Sequence, residues 1–315
     1  MTSCKSIAVI ALFLIVGPGG LTRAIFAEGR TVKLEILSTG TFEANYSDLV
    51  AGGASRQVTL PIPVYLIRHP SNGMILFDSG LGLKFKSQLQ GWWLHRLFQL
   101  FLPYHLGAGE TASEQMVAQG IQAKDVRYII LSHLHYDHAG GLADFPKAQI
   151  LVSEDEWQHG DVSRLRARFY GYMKEMYEGM EDRVQLIEYP PVSNYDPFEA
   201  SLDLFGDGSL MLLATPGHTP GHQSLLLPSV FPCPRIDKAH DAGPDRPCPV
   251  LLTGDAVWVR ENYERPAPKG WKAQFIEESK EQAWETTQKI HQFHQEHPEV
   301  VIISGHDPER LQGKN

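Results

Sequence analysis

SHLHYDHAGG, residues 132–141, gathers three imidazoles and one carboxylate (His133, His135, Asp137 and His138) into six consecutive positions. Histidines are seldom collected this way without a metal, a switch or a proton to move. The preceding run YIILS, Tyr128 to Ser132, reads as a buried strand. If the chain stays extended beyond it, alternate side chains face one way, so His133 and His135 share one metal. A turn then sends Asp137 and His138 towards a second ion. Ala139-Gly140-Gly141 lets the backbone pack tightly around that turn.

The same arrangement recurs downstream. LMLLAT, Leu210 to Thr215, leads into Pro216-Gly217-His218. VLLT, Val250 to Thr253, leads into Gly254-Asp255, and VVIIS, Val300 to Ser304, leads into Gly305-His306. Ligands in layered α/β proteins collect beyond the carboxyl ends of strands, so these strand ends predict one convergent site. Nitrogen and oxygen ligands of this kind suit zinc. A structural zinc site is closed by four protein ligands and usually uses cysteine. This set has no cysteine and more ligands than one ion needs, which predicts two ions with open positions for water and substrate. Other divalent metals, such as iron, manganese or cobalt, suit the same ligands.

SHLHYDHAGG resembles the HxHxDH motif of the metallo-β-lactamase superfamily. TPGHTPGHQSLLL (Thr215 to Leu227), GDA (Gly254 to Ala256) and GHD (Gly305 to Asp307) follow in that superfamily's order and spacing. The flavour of these motifs, with PVYLIRHPSNGMILFDSGL (Pro63 to Leu81), is similar to the N-acyl-homoserine lactone lactonases, the quorum-quenching enzymes. The resemblance covers roughly residues 31 to 310. It implies an α/β fold, a four-layer αβ/βα sandwich with two β-sheets face to face. It further implies that His133, His135 and His218 hold one zinc, that Asp137, His138 and His306 hold the other, and that Asp255 bridges them.

The chemistry implied is hydrolytic ring opening of the lactone. Metal-bound water ionises near neutral pH and supplies the hydroxide that attacks the ester carbonyl. Asp137 is the expected catalytic proton carrier to the leaving ring oxygen. Asp78, in LFDSG, and His222, four residues beyond His218, are expected to support the ligands from behind. The lactonases usually place a tyrosine three residues after the bridging aspartate; this chain has Trp258 there, with Tyr263 nearby, and both are candidate substrate contacts. Indole donates one N–H and cannot do what a phenol does. Two alternatives therefore stand beside the lactonase reading: another ester, thioester, phosphoester or β-lactam as substrate, or a non-enzymatic binder of metal or lactone.

The chain has 315 residues, 43% of them hydrophobic, enough for a sizeable core. Its net charge is -9 and no Lys/Arg stripe appears, which disfavours a nucleic-acid partner and leaves a small-molecule substrate. Residues 1–27 read as a signal peptide: Lys5, then the apolar run Ile7 to Val16, then Gly17-Pro18-Gly19-Gly20, with cleavage expected at Ala27. The apolar run is short for a membrane span, so no stable insertion is expected after cleavage and the enzyme is exported, periplasmic or secreted. An uncleaved N-terminal anchor is the alternative. Residues 28–315 then form the hydrolase domain, interrupted by a Pro-rich insertion at 228–249. Cys233 and Cys248, both flanked by prolines in that insertion, are candidates for a disulfide in an oxidising compartment. The aromatic stretch Trp92 to Tyr104 is a candidate cover for an acyl chain, with Phe98 and Phe101 as its contacts, although a plain core helix explains it equally well. Thr111 and Glu114 are placed as a capping box for a short helix over 111–119, and 275–297 reads as an exposed helix. The remaining histidines, His69 among them, read mostly as surface residues.

Overall fold

The computed structural model describes residues 30–90, 104–160, 170–191, 193, 195–234 and 246–311. The expected signal peptide, Phe98 and Phe101 lie outside the described residues. The first sheet holds β1 (Lys33–Asn45), β2 (Gln57–His69), β3 (Gly73–Phe77), β4 (Tyr104–His105), β5 (Val126–Ile130), β6 (Gln149–Ser153) and β7 (Val184–Ile187), in the order β4-β1-β2-β3-β5-β6-β7. The second holds β8 (Ser201–Asp203), β9 (Met211–Ala214), β10 (Gln223–Val230), β11 (Cys248–Leu252) and β12 (Val301–Ile303), in the order β12-β11-β10-β9-β8. β3, β5, β6 and β7 run parallel, as do β11 and β12; the other pairings are antiparallel.

The strand sequences explain the layering. Leu225, Leu226 and Leu227 of β10 are consecutive and all fully buried. Successive strand residues face opposite ways, so an uninterrupted apolar run requires cover on both sides of the sheet. Leu225 and Leu227 pack with Tyr65, Ile67 and Phe77 of the first sheet, in the core between the sheets. Leu226 faces the other way and packs with Ile290 and Phe293 of the helix Lys280–Glu296. The first sheet repeats the logic: Leu66 and Leu76 pack on its outer face with Met116 of the helix Ala112–Ala118. Helix, sheet, sheet and helix therefore form four layers. Each fully buried Leu contributes about 1.5–3 kcal/mol relative to leaving it in water.

Thr111 and Glu114 form the capping box of the helix Ala112–Ala118. Ser71-Asn72-Gly73 turns β2 into β3. The helix expected from residue 275 begins at Lys280, where Ser279 accepts a hydrogen bond from the Gln282 backbone N–H as N-cap. His69 is a correction: it is buried, and its Nδ1 accepts the backbone N–H groups of Ser71 and Asn72 at 3.1 and 2.9 Å. Cys233 and Cys248 are joined in a disulfide, with Cα atoms 5.4 Å apart, closing the connection between β10 and β11. Among the described residues, no helix is long and apolar enough to cross a membrane.

Candidate metal centre

The strands β3, β5, β9, β11 and β12 each deliver one piece of the site just beyond their carboxyl ends. After β5 the chain stays extended through His133 and His135; His135 then serves as N-cap of a single helical turn, Tyr136–Ala139. That change from extended to helical backbone separates His133 and His135 from Asp137 and His138. Gly141 sits so close to the Ser79 carbonyl that a Cβ there would overlap it, so the glycine is required by the approach of two backbones. Gly217, at φ +133°, lies against the backbone of Ala283 and seats the start of the helix Lys280–Glu296 beside His218.

Among the described residues, potential ligand atoms lie within 4.8 Å of one another in three groups: His133, His135 and His218; Asp137, His138 and His306; and His133, His138 and Asp255, which joins the other two. All seven side chains are buried. Asp255 Oδ1 lies 3.3 Å from His138 Nε2 and 3.1 Å from His306 Nε2, while its Oδ2 lies 3.4 Å from His218 Nε2. The carboxylate thus stands between the two histidine sets.

These residues fit metal ions. Nε2 of His133, His135 and His138 is buried and makes no hydrogen bond, an arrangement that is costly unless something else binds there. The outer nitrogens are occupied: His133 Nδ1 by Ser132 Oγ at 2.9 Å, His138 Nδ1 by Asp78 Oδ2 at 2.8 Å, His218 Nδ1 by Glu277 Oε1 at 3.3 Å, and His306 Nδ1 by the Pro61 carbonyl at 2.8 Å. A histidine whose Nδ1–H donates outward presents a bare Nε2 lone pair inward, the usual preparation of a metal ligand. His135 differs: its Nδ1 lies 3.0 Å from His218 Nε2. Burial, reinforced by the neighbouring imidazoles, pushes His133 and His135 well below the usual histidine range, so both are neutral. The two carboxylates diverge. Burial raises Asp137, whereas His306 and His138 overcome the effect of burial on Asp255 and hold it well below the usual range.

Asp78 lies at φ 62°, a left-handed conformation unusual for any residue but glycine. It is held there because Oδ1 accepts the Ser132 N–H at 2.7 Å while Oδ2 accepts from Ser132 Oγ at 2.9 Å and from His138. Asp78→Asn is expected to weaken zinc binding about 10–100-fold, the usual cost of removing such a support. Competition with a chromophoric chelator checks this; an unchanged affinity would show that the carboxylate does not orient His138.

His222 is placed outside the ligand cluster. Its Nε2 accepts the Asp255 N–H at 3.0 Å and its Nδ1 faces Thr215 Oγ1 at 2.8 Å, so neither nitrogen is free. Trp258 is half-buried beside the site, with its Nε1–H donating to Asp255 Oδ2 at 2.8 Å. Tyr263 is a correction. It is buried in the core beneath the second sheet, and its hydroxyl accepts from Arg310 Nη1 at 3.0 Å rather than facing the site. It lies in a short helix, Arg260–Glu264, which buries it together with Asn262.

Sequence reasoning missed Glu277, Lys269 and Glu156. Glu156 is fully buried and accepts the N–H groups of Leu134 at 2.9 Å and Gly221 at 3.2 Å, tying the HxHxDH segment to the turn carrying His218. Glu277 is held down to about 2: burial opposes its ionisation, but Lys269 and then His218 prevail. None of the three sits in a motif.

The family model of the metallo-beta-lactamase superfamily matches residues 58–230. The N-acyl homoserine lactonase AttM of Rhizobium radiobacter is 27% identical over 279 residues, covering 88% of this chain and 94% of the relative. An N-acyl homoserine lactonase of Bacillus cereus is 30% identical over 262 residues, covering 81% and 85%. A crystal structure of a quorum-quenching N-acyl homoserine lactone lactonase superposes with a TM-score of 0.65 at 25% identity, covering 90% of this chain and 96% of that one. The chain belongs to the metallo-beta-lactamase superfamily, as a metal-dependent hydrolase similar to the N-acyl homoserine lactonases.

Proposed function

We propose that this chain opens the lactone ring of N-acyl-homoserine lactones with two zinc ions, and so acts in quorum quenching. The observation that carries the reading is the double cluster: two buried histidine sets meet at Asp255, with Nε2 of His133 and of His138 buried and unpaired. His133, His135 and His218 would hold one ion, Asp137, His138 and His306 the other, and Asp255 both. When bound, the ions supply Lewis acidity and bring the ionisation of water down to neutral pH. The protein's own groups do the rest. The Nδ1 partners Ser132, Asp78, Glu277 and Pro61 hold the imidazole rings in place. Asp137, with Oδ2 3.5 Å from both His138 Nε2 and His306 Nε2, stands at the inner edge of the cluster. There it carries the proton released by the attacking water to the ring oxygen. The water oxygen bonds to the carbonyl carbon, the ring C–O bond breaks, and the proton ends on the new hydroxyl.

The test is proton release from a medium-chain N-acyl-homoserine lactone on zinc-loaded protein, with chelated protein beside it. Opening that disappears on chelation and returns with zinc is expected. Full zinc content without opening would reject the lactone. Because the Trp258 N–H is already engaged by Asp255, no phenol-like donor stands at that position. This favours keeping a second reading, the same metals acting on another ester, thioester, phosphoester or β-lactam, to which a substrate panel would then turn.

The localisation follows the same chemistry. A disulfide between Cys233 and Cys248 belongs in an oxidising compartment, and the signal-like residues 1–27 agree, so we place the protein in the periplasm or outside the cell. The mass of the mature N-terminus from exported protein tests this.

A further inference from the structure

Behind Asp255 and His218 lies a connected set of polar groups that the ligand roles leave unexplained. Trp258 Nε1–H donates to Asp255 Oδ2 at 2.8 Å. Lys269 Nζ stands 4.8 Å from the centre of the Trp258 ring, donates to the Asp255 backbone carbonyl at 2.6 Å, and pairs with Glu277 Oε1 at 2.5 Å. Glu277 Oε1 in turn faces His218 Nδ1 at 3.3 Å. Lys269 and Glu277 are only 7% and 6% exposed. A buried ion pair that loses one member leaves an uncompensated charge, so this pair is held firmly.

We propose that Trp258 is a positioning residue for the metal centre, setting the plane of the Asp255 carboxylate and, through Lys269 and Glu277, coupling that carboxylate to His218. The inference rests on the reading of the seven-residue cluster as a metal centre. A carboxylate has about four acceptor sites and a freely turning side chain. One charge-assisted hydrogen bond on Oδ2 fixes its rotation and leaves the other sites directed at His138, His306 and His218. Indole suits this role because its N–H lies in the ring plane and only donates. The ring direction is set by packing: Lys269 over the face, and the His218 and His306 rings edge-on at 6.4 and 5.9 Å. A phenol O–H can swing towards a substrate; this N–H cannot without abandoning Asp255. Trp258 therefore acts on the metals and not on the substrate carbonyl.

The experiment uses the full chain, zinc or cobalt as probe, and the variants Trp258→Phe and Lys269→Gln. Zinc affinity is read by chelator competition, the cobalt form by its visible absorption spectrum, and lactone hydrolysis by KM at saturating zinc. For Trp258→Phe the expected result is about a 10-fold weaker zinc affinity and a shifted cobalt spectrum, with KM unchanged. Lys269→Gln is expected to move zinc affinity the same way, and it carries the test if Trp258→Phe does not fold. Unchanged zinc affinity with a raised KM would overturn the proposal and make Trp258 a substrate contact. Unchanged zinc affinity and unchanged KM would overturn it as well. Wild-type protein that takes up no zinc would instead overturn the metal centre itself.

Discussion

Asp137→Asn is expected to lower kcat for lactone opening by about 10²–10⁴-fold, the range that a positioned proton carrier supplies. Asn keeps the volume and one acceptor oxygen of Asp137, but it has no carboxyl to take up and return a proton. The leaving ring alkoxide then has to wait for a proton from solvent, and the buried position of Asp137 restricts that supply. Asp137 also belongs to the group with His138 and His306, so zinc content must be measured beside the rate. A fall in kcat at undiminished zinc isolates proton transfer. A fall that follows zinc content makes Asp137 chiefly a ligand. A kcat within about 3-fold of wild type at full zinc would remove Asp137 from the mechanism, since even the weakest positioned acid or base is worth more.

The second large effect falls on stability. Cys233→Ser with Cys248→Ser opens a loop of sequence separation 15, worth about 3 kcal/mol in the chain-entropy account. For a chain of 315 residues each kcal/mol moves Tm by about 1.5 °C, so calorimetry should show Tm lower by about 5 °C. The bridge joins the end of β10 to the start of β11, at the far end of β11 from Asp255. Zinc content of the folded variant is therefore expected to match wild type. A drop of less than about 2 °C would mean that the β10–β11 pairing already restrains this connection without the bridge.

The two results bear on different parts of the molecule because the fold separates them. Residues of the inter-sheet core, such as Leu225, Leu227 and Val250, hold the sandwich together. The ligands stand beyond the strand ends, where they contribute polar groups that the core does not need. Trp258 and Lys269 occupy the boundary, half-buried and buried respectively, and the metal centre is expected to respond to them.

Much of the architecture was legible because it follows from short-range periodicity. Val250 to Leu252 and Val300 to Ile303 are short runs apolar at successive positions, which read as buried strands and are buried. His133, His135, Asp137 and His138 lie within one extended segment and one helical turn, so local backbone geometry was enough to divide them into two sets. The capping box at Thr111 and Glu114 is local in the same way. What sits behind the ligands was not legible. Glu277 reaches His218 across 59 positions, and Asp78 reaches His138 across 60, with no repeat linking the partners. Asp78 was flagged only through its motif; Glu277 and Lys269 have none. Tyr263 looked available because it follows Asp255 closely in sequence, yet the helix Arg260–Glu264 turns it inward onto Arg310. Patterns a few residues long thus determined the strand ends and the pairing of His133 with His135 and of Asp137 with His138, while the four-layer sandwich and the full seven-residue set were implied by the resemblance those motifs carry. Only the tertiary structure decided which side chains brace those ligands, and that Trp258 faces Asp255 while Tyr263 does not. Those choices depend on how segments far apart in the chain pack behind the strand ends, and no local periodicity encodes that packing.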